Sequence, residues 1–286
     1  MTRLTPSMIY DVPYTSIERD NELIQSIGLT LKDLAYEAVG LHPHELNLGD
    51  YLAAAVPVTS GKGMTEGFSE SVCSIVEHLG MQSMLTRRTD VAGLSDALAA
   101  KADIIFMADD DEFIALNAHT GNFSNNTHST ALGYFTAFRR AAGSLRNKDV
   151  LLIGAGRIGN LVGDMLAAEQ AYVTVVDKDI TRSETLCRRH DKFTVENSLE
   201  KAMQNSKLIF NASPAKLPGE WITEGAIISS PGVPFSFDKE GFSKVGALIH
   251  DPLQIGVSVM ALWSASLSSP SITLPLHEPI KLEVSL

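Results

Sequence analysis

Apolar residues between positions 16 and 39 fall at helical spacing: Ile17, Leu23, Ile24, Ile27, Leu31, Leu34, Ala35 and Ala38. Side chains three and four apart share one face of a helix, so the run predicts helix, and Gly28 divides it in two. Beyond it the period changes. Apolar runs at 54–59 and 103–108, with a weaker one at 82–86, read as buried strands. The stretches 66–79 and 93–101 read as helices between them. Alternation of this kind predicts parallel strands joined by helical crossovers.

A longer amphipathic run, residues 127–143, predicts a helix that ends at Gly143 and links two domains. After it the alternation restarts, with strands at 149–154, 171–177, 207–212, 225–229 and 246–250. Helices are expected at 157–169, 181–189, 197–204 and 253–267. The expected fold class is α/β: a Rossmann domain after a smaller N-terminal α/β domain with leading helices. The boundaries expected are 1–126 for the N-terminal domain, 127–146 for the link, 147–267 for the Rossmann domain and 268–286 for a tail.

Composition narrows the function. The chain has 286 residues, 44% of them hydrophobic, enough for two packed cores. A net charge of −11 argues against a nucleic-acid or anionic-membrane partner, both of which favour a basic face. Two distant cysteines, Cys73 and Cys187, argue against a disulfide framework or a structural zinc site. The N-terminus lacks the apolar core of a signal peptide, and no apolar run is long enough to span a bilayer. A cytoplasmic setting is therefore expected, and a homodimer is compatible with a pattern that does not specify assembly.

The strongest motif is DVLLIGAGRIG, where Gly154, Gly156 and Gly159 make G-x-G-x-x-G. Alone the match is weak. Here an apolar strand precedes it, a helix follows, and the next strand ends at Asp177, the full dinucleotide-binding context. Gly154 allows the tight turn, Gly156 lets the backbone approach a pyrophosphate, and Gly159 lets helix pack on strand. Arg157 and Ile158 open the helix, whose free N–H groups suit phosphate. Asp177 suits ribose hydroxyls and opposes a 2′-phosphate, so NAD is favoured over NADP. Later strand ends should line the same groove, at Asn211-Ala212-Ser213-Pro214 and at Pro231-Gly232.

A second glycine-rich stretch, VPVTSGKG at 56–63, is not a P-loop: the spacing fails and Gly63 follows Lys62 where Ser or Thr is required. In MADDDEF, Asp109 stands closest to the end of a buried strand. It reads as a solvated acidic turn, as a hard-cation site, or as a group that binds and deprotonates an ammonium. Asn126 or Thr127 reads as a helix N-cap, or Asn126 as a side chain aimed into the cleft. The eight histidines are scattered, and only His42 and His44 are close, so no metal site is expected.

Taken in order, VPVTSGKG (56–63), FMADDDEF (106–113), NNTHST (125–130), VLLIGAGRIG (150–159), SPGVP (230–234) and DPLQIG (251–256) resemble the PylD family. These are NAD-dependent dehydrogenases that complete pyrrolysine biosynthesis, and the resemblance covers roughly residues 1–267. It implies a small-molecule substrate, lysine carrying 3-methyl-D-ornithine as an amide on its ε-nitrogen. It implies that Asp109 acts in catalysis, that Thr59, Ser60 and Gly61 touch substrate with Asn126, and that Leu4 belongs to a lid. Asp251 is implied as a second catalytic carboxylate, one methylene shorter than the glutamate of the family pattern. The two other readings are a shikimate- or amino-acid-dehydrogenase-like oxidoreductase and an NAD(H)-sensing regulator. The regulator lacks any recognisable DNA-binding segment.

Overall fold

The computed structural model describes residues 4–233 and 236–267. The chain opens with α1 (Pro6–Ile9), α2 (Ser16–Ile27) and α3 (Leu31–Val39). Gly28 ends α2 in the left-handed region at φ 74°, where a side chain would be strained. Two residues later Thr30 and Asp33 cap each other reciprocally and start α3. The division expected at Gly28 is therefore set by a cap on either side.

The first sheet is built from β1 (Leu52–Val56), α4 (Phe68–Leu79), β2 (Gln82–Leu85), α5 (Asp90–Ala99), β3 (Ile104–Ala108), β4 (Phe113–Asn117) and β5 (Phe123–Asn125). Its order is β2-β1-β3-β4-β5, with β1 parallel to β2 and β3. The all-parallel expectation ends there. Residues 109–112 turn a tight hairpin, and β4 and β5 complete the sheet antiparallel. A hairpin needs no crossover helix, so no helical pattern announces it. Alternation appears only in the burial: Phe113, Ala115 and Asn117 are buried while Ile114 and Leu116 are half-exposed, although the first four of the five residues are all apolar.

Helix α6 (Asn126–Ala142) stops at Gly143, as expected, but its N-cap is Asn125, one residue before the positions expected. The second sheet follows: β6 (Asp149–Ile153), α7 (Arg157–Ala168), β7 (Tyr172–Val176), α8 (Ile180–Cys187), β8 (Phe193–Val195), α9 (Leu199–Gln204), β9 (Leu208–Asn211), β10 (Ala226–Ser229), α10 (Lys239–Lys244) and β11 (Val245–Ile249). Its order is β11-β10-β9-β6-β7-β8, all parallel. The short β8 and α10 were not foreseen. Strand order reverses between β6 and β9, which opens a crevice at their carboxyl ends.

The last helix, α11 (Gln254–Ser266), was expected with the Rossmann unit. It packs instead against α6, α3 and α4 and on the first sheet through β4 and β5. Nearly every residue of α11 is buried, Ile255, Val257, Met260 and Leu262 among them, as a helix apolar on all sides requires. It approaches α6 closely because Gly133 faces it: a β-carbon there would sit 2.7 Å from Ile255 Cγ2. One continuous apolar core runs from the leading helices through α6 and α11 into the second sheet. The expectations for 268–286 and for Pro234 fall outside the described residues.

Candidate active site

The glycine motif builds one wall by steric exclusion. Gly154 takes φ 91°, and a β-carbon at Gly159 would overlap the Gly154 carbonyl. Both positions therefore keep α7 pressed on the end of β6. Gly156 differs: a β-carbon there would meet nothing within 4 Å, so its backbone faces open space beside the helix N-terminus. That is the room a dinucleotide pyrophosphate takes, and the residues fit it. Asp177 ends β7; its Oδ2 accepts from the Ala155 N–H at 2.7 Å and its Oδ1 from the Asp179 N–H at 2.9 Å. Each carboxylate oxygen retains a lone pair for a further donor.

The strand ends of β9 and β10 are tied together by Asn211, which is fully buried. Its Oδ1 accepts from Ser213 Oγ at 2.8 Å, and its Nδ2 donates to Ser230 Oγ at 3.3 Å. Asn211, expected as a cofactor contact, spends its side chain on these loop hydrogen bonds.

A cavity of about 550 Å³ lies between the two sheets. Gly156, Arg157, Ile158, Ala212, Ser213, Pro214, Pro231 and Gly232 line it from the Rossmann side. Leu4, Asp109, Asn126 and Asp251 line it from the other. Of the residues expected from sequence, these come together. Thr59, Ser60 and Gly61, expected as substrate contacts, lie beside the cavity lining rather than in it, and the Thr59 N–H and hydroxyl both donate to the Asp90 carboxylate, at 2.7 Å each. The stretch just after them, Gly63, Met64 and Thr65, lines the cavity instead. Sequence reading also missed Phe68, Phe113 and Tyr134, whose apolar spacing looks like ordinary core. Arg182 was missed too, since a lone basic residue on α8 carries no signal.

Asp109 sits at the hairpin turn, exposed to the cavity. Its Oδ1 accepts from the Asp111 and Glu112 N–H groups at 2.8 and 2.9 Å, which fixes the carboxylate. Asn126 lies in the first turn of α6, where its Oδ1 accepts from Thr130 Oγ1 at 3.1 Å. Asp251 is only 2% exposed. Its carboxylate accepts the Leu253 N–H at 2.8 Å and the Ile255 N–H at 3.2 Å, capping the start of α11. The Tyr134 hydroxyl donates to the Asp251 carbonyl at 2.6 Å and accepts its N–H at 2.9 Å. Burial, and then the Asp251 charge, hold the Tyr134 phenol well above its ordinary value, so it stays neutral. Among the described residues no group of side chains could hold a metal ion, and no helix is long and apolar enough to cross a membrane.

Two α/β layers, a dinucleotide motif and a cleft between them define a two-domain Rossmann oxidoreductase. Solved structures share this fold. Shikimate dehydrogenase from Aquifex aeolicus aligns with TM-score 0.52 and 15% identity over 76% of this chain and 97% of that one. Quinate dehydrogenase from Corynebacterium glutamicum, in complex with NAD, aligns with TM-score 0.52 and 13% identity over 76% and 93%. Residues 136–226 match the shikimate/quinate 5-dehydrogenase family, and residues 8–124 match the N-terminal domain of the pyrrolysine biosynthesis protein PylD. Pyrrolysine synthase of Methanosarcina acetivorans is 31% identical over 91% of this chain and 98% of its own length. That of Methanosarcina barkeri is 29% identical over 91% and 97%. The chain belongs to the pyrrolysine synthase family.

Proposed function

We propose that this protein uses NAD⁺ to oxidise the amine-bearing terminal carbon of lysine-Nε-3-methyl-D-ornithine, the step that ends in pyrrolysine. One observation supports the reading above others: Asp109 and the Gly156–Ile158 helix start line the same cavity. The relatives named pyrrolysine synthase supply the substrate class.

The chemistry asks for such a carboxylate. An ammonium-bearing carbon cannot lose hydride, because the developing iminium would add a second positive charge. The amine must first be deprotonated, which costs about 4–5 kcal/mol at pH 7 for a lysine-like amine. Asp109 binds the ammonium and takes its proton. Phe68, Val72, Phe106 and Phe113 on the same wall exclude water and weaken the charged form of the amine. NAD⁺ held at the Gly156–Ile158 turn would supply the hydride acceptor. Water then adds to the substrate imine, activated by Asp109, and ammonia leaves. The ornithine α-amine condenses with the aldehyde, losing water and closing the ring. Asp251 and Asn126 orient the substrate beside Asp109, and Leu4 covers the mouth. Arg157 and Ile158 would hold the pyrophosphate through their N–H groups, and Asp177 would take ribose hydroxyls, favouring NAD over NADP.

No lysine is among the described residues lining the cavity, which supports amine oxidation over a reaction that needs a lysine base. The test is direct. Purified protein with NAD⁺ and the lysine–methylornithine amide should produce NADH, with a ring-closed product lighter by one ammonia and two hydrogens, since the water taken up by the imine is lost again on ring closure. NADH from shikimate or a simple amino acid, with none from this substrate, would sink the proposal.

A further inference from the structure

The loop from β1 to α4 is rich in glycine. Gly61, Gly63 and Gly67 all have positive φ, at 65°, 80° and 80°. Three glycines in seven residues make ordering costly, because glycine loses the most backbone freedom on folding. Two backbone hydrogen bonds, Gly63 N–H to the Ser60 carbonyl and Phe68 N–H to the Thr65 carbonyl, are local turns. Two carboxylates from other elements are among the outside anchors, beside the Asp90 N–H donated to the Pro57 carbonyl at 2.9 Å. Asp90 takes both donors of Thr59. Asp110 reaches from the hairpin turn, and its Oδ2 accepts the Lys62 N–H at 2.8 Å. Gly61 is shaped to this carboxylate: a β-carbon there would overlap Asp110 Oδ2 and lie 2.9 Å from its Cγ.

The position of this anchor matters. Asp110 is the immediate neighbour of Asp109, and Gly63, Met64 and Thr65 follow Lys62 directly into the cavity wall. Thr65 in turn donates through its hydroxyl to the Leu4 carbonyl at 3.4 Å. Loop, N-terminal cover and the Asp109 turn are thus joined at one point.

We propose that Asp110 is a positioning residue: its carboxylate latches Gly61–Lys62 to the Asp109 turn and so holds Gly63–Thr65 and Leu4 as the substrate-side wall. The inference rests on the substrate reading above for its kinetic arm only. The glycines and lysine of the loop serve the latch rather than a phosphate, and Asp109 and Asp110 have separate tasks.

The experiment pairs tryptic cleavage with steady-state kinetics on the full chain. Cleavage after Lys62, which is exposed, reads loop opening without any substrate. Asp110→Ala should be cut there about tenfold faster than wild type. Its KM for the lysine–methylornithine amide should rise about tenfold, the scale of one charge-assisted hydrogen bond, with the KM for NAD⁺ unchanged. Asp110→Asn keeps an acceptor in place and should recover most of both. Unchanged cleavage in Asp110→Ala overturns the latch. Faster cleavage with unchanged substrate KM overturns the positioning role. An Asp110→Asn variant as impaired as Asp110→Ala would assign the effect to charge and overturn it as well. Failure of wild type to turn over the amide leaves the cleavage arm intact and sinks only the substrate reading.

Discussion

The two walls of the cleft are built by opposite means. The Rossmann wall is local: Gly154 to Gly159 are consecutive, one strand–turn–helix unit fixed by backbone sterics. The facing wall is assembled: Leu4, Gly63, Asp109, Asn126 and Asp251 come from five separate segments. A local wall depends on each glycine for its shape. An assembled wall depends on the anchors between segments, and each reacting group in it can be changed without unmaking the fold.

Asp109→Asn should give the largest effect. It keeps the hairpin geometry and removes the base, so kcat should fall by roughly 10²–10⁴, the range for general base catalysis, with NAD⁺ affinity unchanged by calorimetry. Unaltered turnover would remove Asp109 from the chemistry. Gly159→Val tests the other wall. Its side chain meets the Gly154 carbonyl, so a loss of about 1–3 kcal/mol by denaturant unfolding is expected, together with loss of NAD⁺ binding. A variant that binds NAD⁺ normally would show that close packing of α7 is dispensable. Asp177→Ala should weaken NAD⁺ binding about tenfold, or about 1.4 kcal/mol, through the lost ribose acceptor and the freed Ala155 N–H. Equal affinity would place ribose recognition elsewhere.

The smallest effect is a pH dependence. His250 Nδ1 contacts the Ser230 carbonyl at 2.6 Å, beside the Pro231–Gly232 loop. Burial pushes the His250 imidazole below its ordinary value, opposed by the Ser230 carbonyl and Asp251 and aided by Arg19. The unfolded chain therefore binds the proton more readily. This group's share of stability is complete above about pH 6.5, the unfolded value, and is lost as pH falls below it. The loss should be read as a lower thermal midpoint at pH 5.5 than at 7.5, and it should shrink in His250→Gln. An undiminished loss would assign it to other groups, such as His128, which burial shifts in the same direction.

Periodicity announced the helices at 16–39, the linking helix to Gly143 and all but one of the Rossmann strands, because each buries a repeating face. It was silent on β4 and β5, where a tight turn replaced the crossover that alternation relies on. It assigned α11 to the wrong partner, since an apolar helix states that it is buried but not against what. The loop at Thr59–Lys62 shows the same limit: residue type suggests contacts, while its ties to the Asp90 and Asp110 carboxylates are visible only in the structure.

By itself the sequence determined the dinucleotide wall, since Gly154, Gly156 and Gly159 act within one short unit whose geometry follows from missing side chains. It also determined that a carboxylate, Asp109, would stand at a strand end. Only the tertiary structure decided that Asp109 shares a cavity with Asp251 and Asn126, and that Gly63–Thr65 rather than Thr59–Gly61 form the wall beside them. Those placements depend on hydrogen bonds and close packing between segments far apart in the chain, and no local spacing records them.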